Sequence, residues 1–144
     1  QDLIRARFDF QEMAKRSLGV QWRRLTTDQQ GEFVILFRDL LEKAYLGRIE
    51  SYGHEKFLYT QETVDGPYAE VRSDIQTDKN GKIAIHYRLL RAGEQWRIYD
   101  VVIEDISLVN NYRSQFGRIL SRSSYDELVH RMKSKLIDKP EGRP

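Results

Sequence analysis

The sequence predicts an α+β fold in which a curved, four-stranded antiparallel sheet has helices on one side. Three observations lead to this prediction. Three capping-box patterns precede segments with helical spacing. Between the second and the third segment, apolar residues alternate as they do in strands. Glycine-containing turns divide this alternating region. A curved sheet with helices on one side can form a cone that encloses an apolar pocket.

The composition is that of one ordinary globular domain. The chain has 144 residues, of which 40% are hydrophobic and 32% are charged. We expect residues 1–138 to form a single domain and residues 139–144 to form a disordered tail. The absence of cysteine excludes disulfides and thiolate metal sites, and a net charge of +2 does not indicate nucleic-acid binding. No apolar run approaches the roughly 18 residues of a membrane helix, and no signal-peptide pattern opens the chain.

The first predicted helix begins at a capping box over residues 9–12, with Asp9 as the N-cap. Phe8 and Met13 have the spacing of the hydrophobic staple that accompanies such a box. Gly19 suits the left-handed residue that follows the last turn of a helix. We therefore expect this helix to end near Gly19.

A second capping box, over residues 27–30 with Thr27 as the N-cap, predicts a longer helix that ends near Ile49. Its apolar residues are spaced to form one wide stripe. They are Phe33, Val34, Phe37, Leu40, Leu41, Ala44 and Tyr45. We expect this stripe to be buried.

Four antiparallel strands are predicted in the middle of the chain. They cover residues 54–63, 68–77, 82–91 and 95–104. The breaks between them are Asp65-Gly66-Pro67, Asn80-Gly81 and Ala92-Gly93. Asn-Gly is typical of a two-residue hairpin turn, because both central residues of that turn need a positive φ. The strands should therefore form a meander.

The fourth predicted strand is apolar on both faces. Strict alternation puts Trp96, Ile98, Asp100 and Val102 on one face. It puts Arg97, Tyr99, Val101 and Ile103 on the other. Neither set is typical of a solvent-exposed face, so both faces need a cover.

Two helices are predicted after the sheet. One should run from about Ser107 to Leu120. The other should open at a third capping box, residues 124–127, and extend to Leu136. Together with the first two helices they complete a single α+β domain.

Asp100 and His86 are the residues of this sequence that are best suited to acid–base chemistry. We expect Asp100 to be a structural carboxylate that accepts hydrogen bonds from the backbone or an arginine. One alternative is a small enzyme in a cone-shaped fold that uses Asp100 or His86 as a base. Another is an interaction module with a solid core. The histidines lack metal-ligand spacing, so we predict no metal site, no cofactor and no catalytic residue.

Three stretches resemble a known family: FDFQEMAKRSLG at 8–19, RDLLEKAY at 38–45 and WRIYDVVIEDISLVNNYRSQF at 96–116. In order and spacing they are similar to the MlaC family, also called the toluene-tolerance or ABC-transporter auxiliary family. The resemblance extends from about Phe8 to Leu136. Members of that family normally carry a signal peptide and a further helical segment before the first stretch. The resemblance therefore implies that this N-terminal segment is missing from the chain.

The resemblance implies a periplasmic phospholipid carrier that maintains the lipid asymmetry of the outer membrane. Its fold would be related to NTF2-like cones, with the acyl chains in the pocket and the head group outside. The implied partners are an inner-membrane complex of MCE domains with an ABC transporter and an outer-membrane lipoprotein–porin complex. We expect a monomer that binds phospholipid as cargo and binds no nucleic acid.

The lipid-binding residues that we expect are apolar residues of the sheet, the long helix and the segment after the sheet. They are Phe37, Leu41, Tyr45, Phe57, Val71, Ile83, Ile85, Tyr87, Trp96, Ile98, Val102, Ile106 and Val109. If one face of the last strand packs against helices and the other lines a lipid cavity, both faces must be apolar. Alternation alone does not assign the two faces.

Overall fold

The computed structural model describes residues 7–52, 56–77 and 81–134, with the side chains of residues 45–52, 56–60 and 75–77 outside the description. The described residues form two compact units. The sheet unit comprises residues 7–9, 47–52, 56–77 and 81–108, and the helical unit comprises residues 10–46 and 109–134. In these ranges no helix is both long and apolar enough to cross a membrane.

Within the described residues the sheet contains six strands. They are β1 (Arg7–Phe8), β2 (Lys56–Asp65), β3 (Tyr68–Thr77), β4 (Gly81–Ala92), β5 (Gln95–Ile103) and β6 (Ile106–Ser107). Their order is β1-β5-β4-β3-β2, and β6 pairs with β5. The four long strands form the predicted antiparallel meander. The sheet as a whole is mixed, because β1 pairs with β5 in parallel.

The prediction of a purely antiparallel, four-stranded sheet is therefore wrong in its strand count and its type. Both additional strands have two residues. Two residues are too few to show alternation, so nothing in the sequence pattern marks them. The strand β6 follows β5 through the two-residue turn of Glu104 and Asp105, which have φ values of 51° and 69°. This is the positive-φ pair that a tight hairpin requires.

The part of the chain that the structure describes has four α-helices: α1 (Phe10–Leu18), α2 (Thr27–Tyr52), α3 (Leu108–Arg122) and α4 (Tyr125–Lys133), with a 3₁₀ helix over Gly19–Arg24. Helix α1 ends, as predicted, before Gly19, which has a φ of +60°. The capping box predicted at Ser124 is confirmed, because the Ser124 hydroxyl accepts a hydrogen bond from the Glu127 amide at 3.1 Å. The predicted extension of this helix to Leu136 lies outside the described residues.

The cap of α2 lies one residue before the predicted position. The Thr26 hydroxyl accepts from the Gln29 amide at 3.1 Å, and the Gln29 side chain accepts from the Thr26 amide at 2.9 Å. The pattern is ambiguous because Thr26 with Gln29 and Thr27 with Gln30 both have the spacing of a capping box. Thr26 is therefore the N-cap of α2, and the prediction that Thr27 is the N-cap is wrong.

An aromatic cluster forms the core of the helical unit. It consists of Phe33 and Phe37 from α2 and Tyr112 and Phe116 from α3, all of them fully buried. The ring centroids of Phe33 and Phe116 are 5.5 Å apart, and Phe37 packs edge-on against both α3 rings. Such aromatic contacts stabilise a core beyond the effect of buried area.

Two glycines should respond to the same substitution with opposite sign. Gly31 lies in helix α2 with open space around its Cα, so Gly31→Ala should raise the free energy of unfolding by about 1 kcal/mol. Gly66 also has open space but has a φ of +62°, so Gly66→Ala should lower it by roughly 1–2 kcal/mol. Urea unfolding measures both changes. Two changes of the same sign would contradict the assigned backbone conformations.

Candidate functional site

A β-bulge in β5 decides which side chains share a face of the sheet. Arg88 of β4 pairs with Asp100, yet the next residue, Leu89, pairs with Ile98. Tyr99 is therefore an extra residue in β5, and alternation is interrupted there. Directly opposite residues of antiparallel strands project from the same face, so Ile98 lies on the face of Leu89.

Because of the bulge, the side chains of β5 after Tyr99 lie on the face opposite to the one that strict alternation gives them. Val101 pairs with Tyr87, and Val102 pairs with His86. Val101 therefore lies on the same face as Ile98, and Val102 lies on the opposite face. The prediction that Ile98 and Val102 share one face is wrong, because it assumed an uninterrupted strand.

One face of the sheet is apolar. We call the side that carries the following residues the apolar face: Ala69, Val71, Ile83, Ile85, Tyr87, Leu89, Ile98 and Val101. Six of them are buried, and Val71 and Tyr87 are half-buried. Ser73 is also buried on this face, where its hydroxyl donates to the Ile85 carbonyl at 3.1 Å. Burial raises the pKa of the Tyr87 hydroxyl, which therefore stays neutral at physiological pH.

The opposite face of the sheet carries cross-strand charges. Glu70 lies 3.7 Å from the Arg72 guanidinium and 3.8 Å from Nδ1 of His86. Arg88 lies 3.7 Å from the Asp100 carboxylate. An apolar ligand on this face would remove water from these charged groups without replacing the hydrogen bonds that water makes with them. The apolar face is therefore the candidate site for an apolar ligand.

Asp100 is the buried carboxylate of the opposite face, with 3% of its surface exposed. One of its oxygens accepts a hydrogen bond from the Val101 amide at 2.8 Å. The other accepts from the Ser107 hydroxyl in β6. The bond from Ser107 joins β5 to β6. His86, the other residue considered as a base, lies 3.8 Å from the Glu70 carboxylate. The described residues contain no cluster of acidic or histidine side chains that could hold a metal ion.

Asp100→Asn should lower the free energy of unfolding by about 1–3 kcal/mol, because it removes the charge that strengthens the hydrogen bond from Ser107 and attracts Arg88. The control is Asp105→Asn, which makes the same charge change in the exposed turn and should stay within about 0.5 kcal/mol. Urea unfolding of both variants measures the difference. Equal losses would show that the two hydrogen bonds of Asp100 do not stabilise the sheet.

The predicted ligand-contact residues fall into three groups in the structure. Seven occupy the face of Leu89: Val71, Ile83, Ile85, Tyr87, Trp96, Ile98 and Ile106, the last of which pairs with Ile103 and is 38% exposed. Val102 lies on the opposite face. The residues of the helical unit, Phe37, Leu41 and Val109, are buried there. The side chains of Tyr45 and Phe57 lie outside the described part.

Sequence reasoning missed Leu89 and Val101, which are 1% and 6% exposed and lie at the centre of the apolar face. Leu89 is absent from the predicted set of lipid-binding residues. Val101 was assigned to the other face of β5. The available signal was the uninterrupted run Val101-Val102-Ile103, which a strand with strict alternation does not explain.

Comparison with known proteins gives a family match over most of the chain. A family model described as "MlaC protein" matches residues 1–134. The intermembrane phospholipid transport system binding protein MlaC of Haemophilus influenzae is 22% identical over 120 residues. That alignment covers 80% of this chain and 56% of the relative, so the chain spans little more than half of the relative's length.

A solved structure has a similar fold. It is the phospholipid-binding protein from Ralstonia solanacearum in complex with a phospholipid. The TM-score is 0.79 at 23% sequence identity, and the alignment covers 88% of this chain and 72% of that chain. The two proteins therefore share an α+β fold with a mixed sheet and helices.

Proposed function

This chain belongs to the MlaC family, and from that premise we propose that it carries phospholipid through the periplasm, with the acyl chains bound in an apolar pocket. The observation that supports this most directly is the apolar face of the sheet. It offers buried aliphatic side chains from three adjacent strands, and the ion pairs of Glu70 with His86 and of Arg88 with Asp100 lie on the opposite face. Such a surface suits acyl chains, because the polar side chains at its centre are uncharged: Ser73 donates to the Ile85 carbonyl, and the Tyr87 hydroxyl stays neutral.

The physical requirement on a carrier is a large apolar area. A phospholipid with two sixteen-carbon chains hides roughly 30 CH₂ groups, and exposing them to water costs on the order of 25 kcal/mol at about 0.8 kcal/mol each. A carrier must offset most of this cost, or it would not remove lipid from a membrane. It must not exceed the affinity of the membrane by much, or it would not release its cargo. Non-directional hydrophobic contact meets both conditions and tolerates chains of different length.

The proposed cargo orientation leaves the head group in water. Hydrated head groups need no dedicated polar site, so the affinity should depend mainly on the number and volume of the acyl chains. The proposal includes an NTF2-like cone that encloses the acyl chains. Val71, Ile85, Leu89, Ile98 and Val101 are the residues of the apolar face that we expect to contact the cargo.

The proposed route runs between two membranes. The carrier would exchange lipid with an outer-membrane lipoprotein–porin complex and with an inner-membrane complex of MCE domains and an ABC transporter. This exchange would maintain the lipid asymmetry of the outer membrane. The protein would act by binding and release and would catalyse no reaction, which agrees with the structural hydrogen bonds of Asp100.

A vesicle assay tests the carrier function. Donor vesicles with a fluorescent phospholipid are mixed with unlabelled acceptor vesicles, and transfer is followed with and without the protein. We expect a transfer rate that increases with protein concentration and an unchanged rate with Asp105→Asn, which alters only the exposed turn. A rate that equals the spontaneous rate at every protein concentration would refute the proposed function.

A further inference from the structure

Two hydroxyl side chains near the centre of the apolar face differ in their hydrogen bonding. Ser73 is fully buried, and its hydroxyl donates to the Ile85 carbonyl at 3.1 Å. The Tyr87 hydroxyl makes no hydrogen bond to any residue that the structure describes. The donor of Ser73 is therefore used within the sheet, whereas the donor of Tyr87 is left for water or for a ligand.

Apolar side chains surround Tyr87 on its own face. Its direct neighbours across the strands are Val71 of β3 and Val101 of β5. Two residues away along β4, Ile85 and Leu89 are buried on the same face. None of these four side chains can accept a hydrogen bond. An acceptor for the Tyr87 hydroxyl is therefore expected to come from solvent or from a bound molecule.

The row of paired residues that contains Tyr87 passes from buried to exposed across the sheet. From β5 to β2 the row consists of Val101, Tyr87, Val71 and Glu62. Val101 is 6% exposed, Tyr87 and Val71 are half-buried, and Glu62 is exposed. Tyr87 therefore lies where the surface changes from buried and apolar to exposed and charged. Because Tyr87 is only half-buried, a ligand on this face can reach its hydroxyl.

The surroundings of Tyr87 keep its hydroxyl as a hydrogen-bond donor. Burial raises the pKa of this hydroxyl, so it retains its proton at physiological pH. Tyrosine hydroxyls in apolar surroundings usually have a hydrogen-bond partner. A donor that is partly shielded from water and has no partner in the protein gains free energy when a ligand supplies an acceptor.

We propose that the Tyr87 hydroxyl donates a hydrogen bond to an ester carbonyl of the bound phospholipid and so fixes how deeply the lipid enters. The ester groups join the acyl chains to the polar part of the lipid, and their carbonyl oxygens accept hydrogen bonds. They are the carbonyl acceptors nearest to the chains, so they suit the boundary at which Tyr87 lies. A few polar groups commonly orient the ligand of a mainly apolar pocket. This inference rests on the proposed function, because it names a contact of the proposed cargo.

Equilibrium binding of two synthetic lipids tests this contact. They are a diacyl phosphatidylcholine and its diether analogue, which has the same chain length and head group but no carbonyl. Each lipid competes with a fluorescent phospholipid for the delipidated protein. We expect the ester lipid to bind about fivefold more tightly than the ether lipid, as one net hydrogen bond would give.

Two tyrosine variants assign this preference to one hydroxyl. Tyr87→Phe should weaken binding of the ester lipid about fivefold and change binding of the ether lipid less than about twofold. Tyr68→Phe is the matched control, because it removes the same atom from the opposite face, where Tyr68 pairs with Leu90. It should leave both affinities unchanged. Tyr87→Phe should not lower stability in urea unfolding, since its hydroxyl has no bond to lose within the described part of the chain.

Infrared spectroscopy detects the contact itself. The bound ester lipid carries ¹³C at its carbonyl carbons, and the stretching band of a hydrogen-bonded carbonyl lies at lower frequency than that of a free one. The lipid should show the lower-frequency band in the unchanged protein and in Tyr68→Phe. The same band should weaken in Tyr87→Phe. An identical spectrum in all three proteins would overturn the proposed contact.

The binding outcomes separate this contact from the carrier function. Equal weakening of both lipids by Tyr87→Phe would overturn the contact, since it would assign the hydroxyl to a group that the two lipids share. Unchanged binding of both lipids by Tyr87→Phe would overturn it as well, while leaving the carrier function intact. Binding of neither lipid by the unchanged protein would refute the proposed function, and the contact with it.

Discussion

Val101→Thr should weaken phospholipid binding about tenfold, whereas Val102→Thr should leave it unchanged. The two valines are neighbours in β5 and are almost equally buried, at 6% and 7% exposure. The bulge at Tyr99 puts them on opposite faces, since Val101 pairs with Tyr87 and Val102 pairs with His86. Threonine keeps the shape of valine and adds a hydroxyl. A hydroxyl that acyl chains desolvate costs about 1–3 kcal/mol, and 1.4 kcal/mol is a factor of ten.

The measurement is equilibrium binding of a fluorescent phospholipid to the delipidated protein. Urea unfolding of each variant is the control, because both substitutions should cost a similar free energy of folding. A larger loss of affinity for Val102→Thr would reverse the assignment of the two faces. An unchanged affinity in both variants would show that the end of β5 does not contact the cargo.

Phe116→Ala and Phe37→Ala should each lower the free energy of unfolding by about 3–5 kcal/mol. Both rings are fully buried, and each packs against other rings of the aromatic cluster at centroid distances of 5.5 to 6.2 Å. Truncation leaves a cavity that helices α2 and α3 can close only in part. Urea unfolding measures this loss. A loss under about 1 kcal/mol for either variant would contradict the described core of the helical unit.

Leucine substitutions at Phe37 and Phe116 test whether Phe37 also contacts the cargo, as the sequence predicts. Phe37→Leu and Phe116→Leu preserve apolar character and should be less destabilising than the alanine variants. If Phe37 contacts the acyl chains, Phe37→Leu should change phospholipid affinity while Phe116→Leu does not. Equal affinities for these two leucine variants would restrict Phe37 to core packing.

The long elements of this fold were predictable because their sequence signals are local. Helix α1 ends at Gly19 and α4 begins at the Ser124 capping box, both as predicted. The four long strands begin and end within two residues of their predicted ranges. Turn residues mark these boundaries, since Gly66, Gly81 and Gly93 all have positive φ. Such local constraints depend little on the rest of the chain.

The features that decide the candidate site were less predictable, because they depend on pairing between strands. The bulge at Tyr99 is a property of the β4–β5 register, and it reverses the faces of Val101 and Val102. The short strands β1 and β6 exist only through their pairing with β5. Strict alternation groups Ile98 with Trp96 correctly, because both precede the bulge. It groups Val102 with them wrongly, because period-two reasoning carries an error of one residue to the end of the strand.

Native mass spectrometry of the purified protein tests the central claim most directly. The proposed function predicts a chain that carries one diacyl phospholipid, with a mixture of acyl chain lengths and head groups in the bound population. Delipidated protein should regain this mass increment after mixing with phospholipid vesicles. A chain that is folded yet lacks lipid after purification, and takes up none from vesicles, would contradict the proposal that its apolar face binds acyl chains.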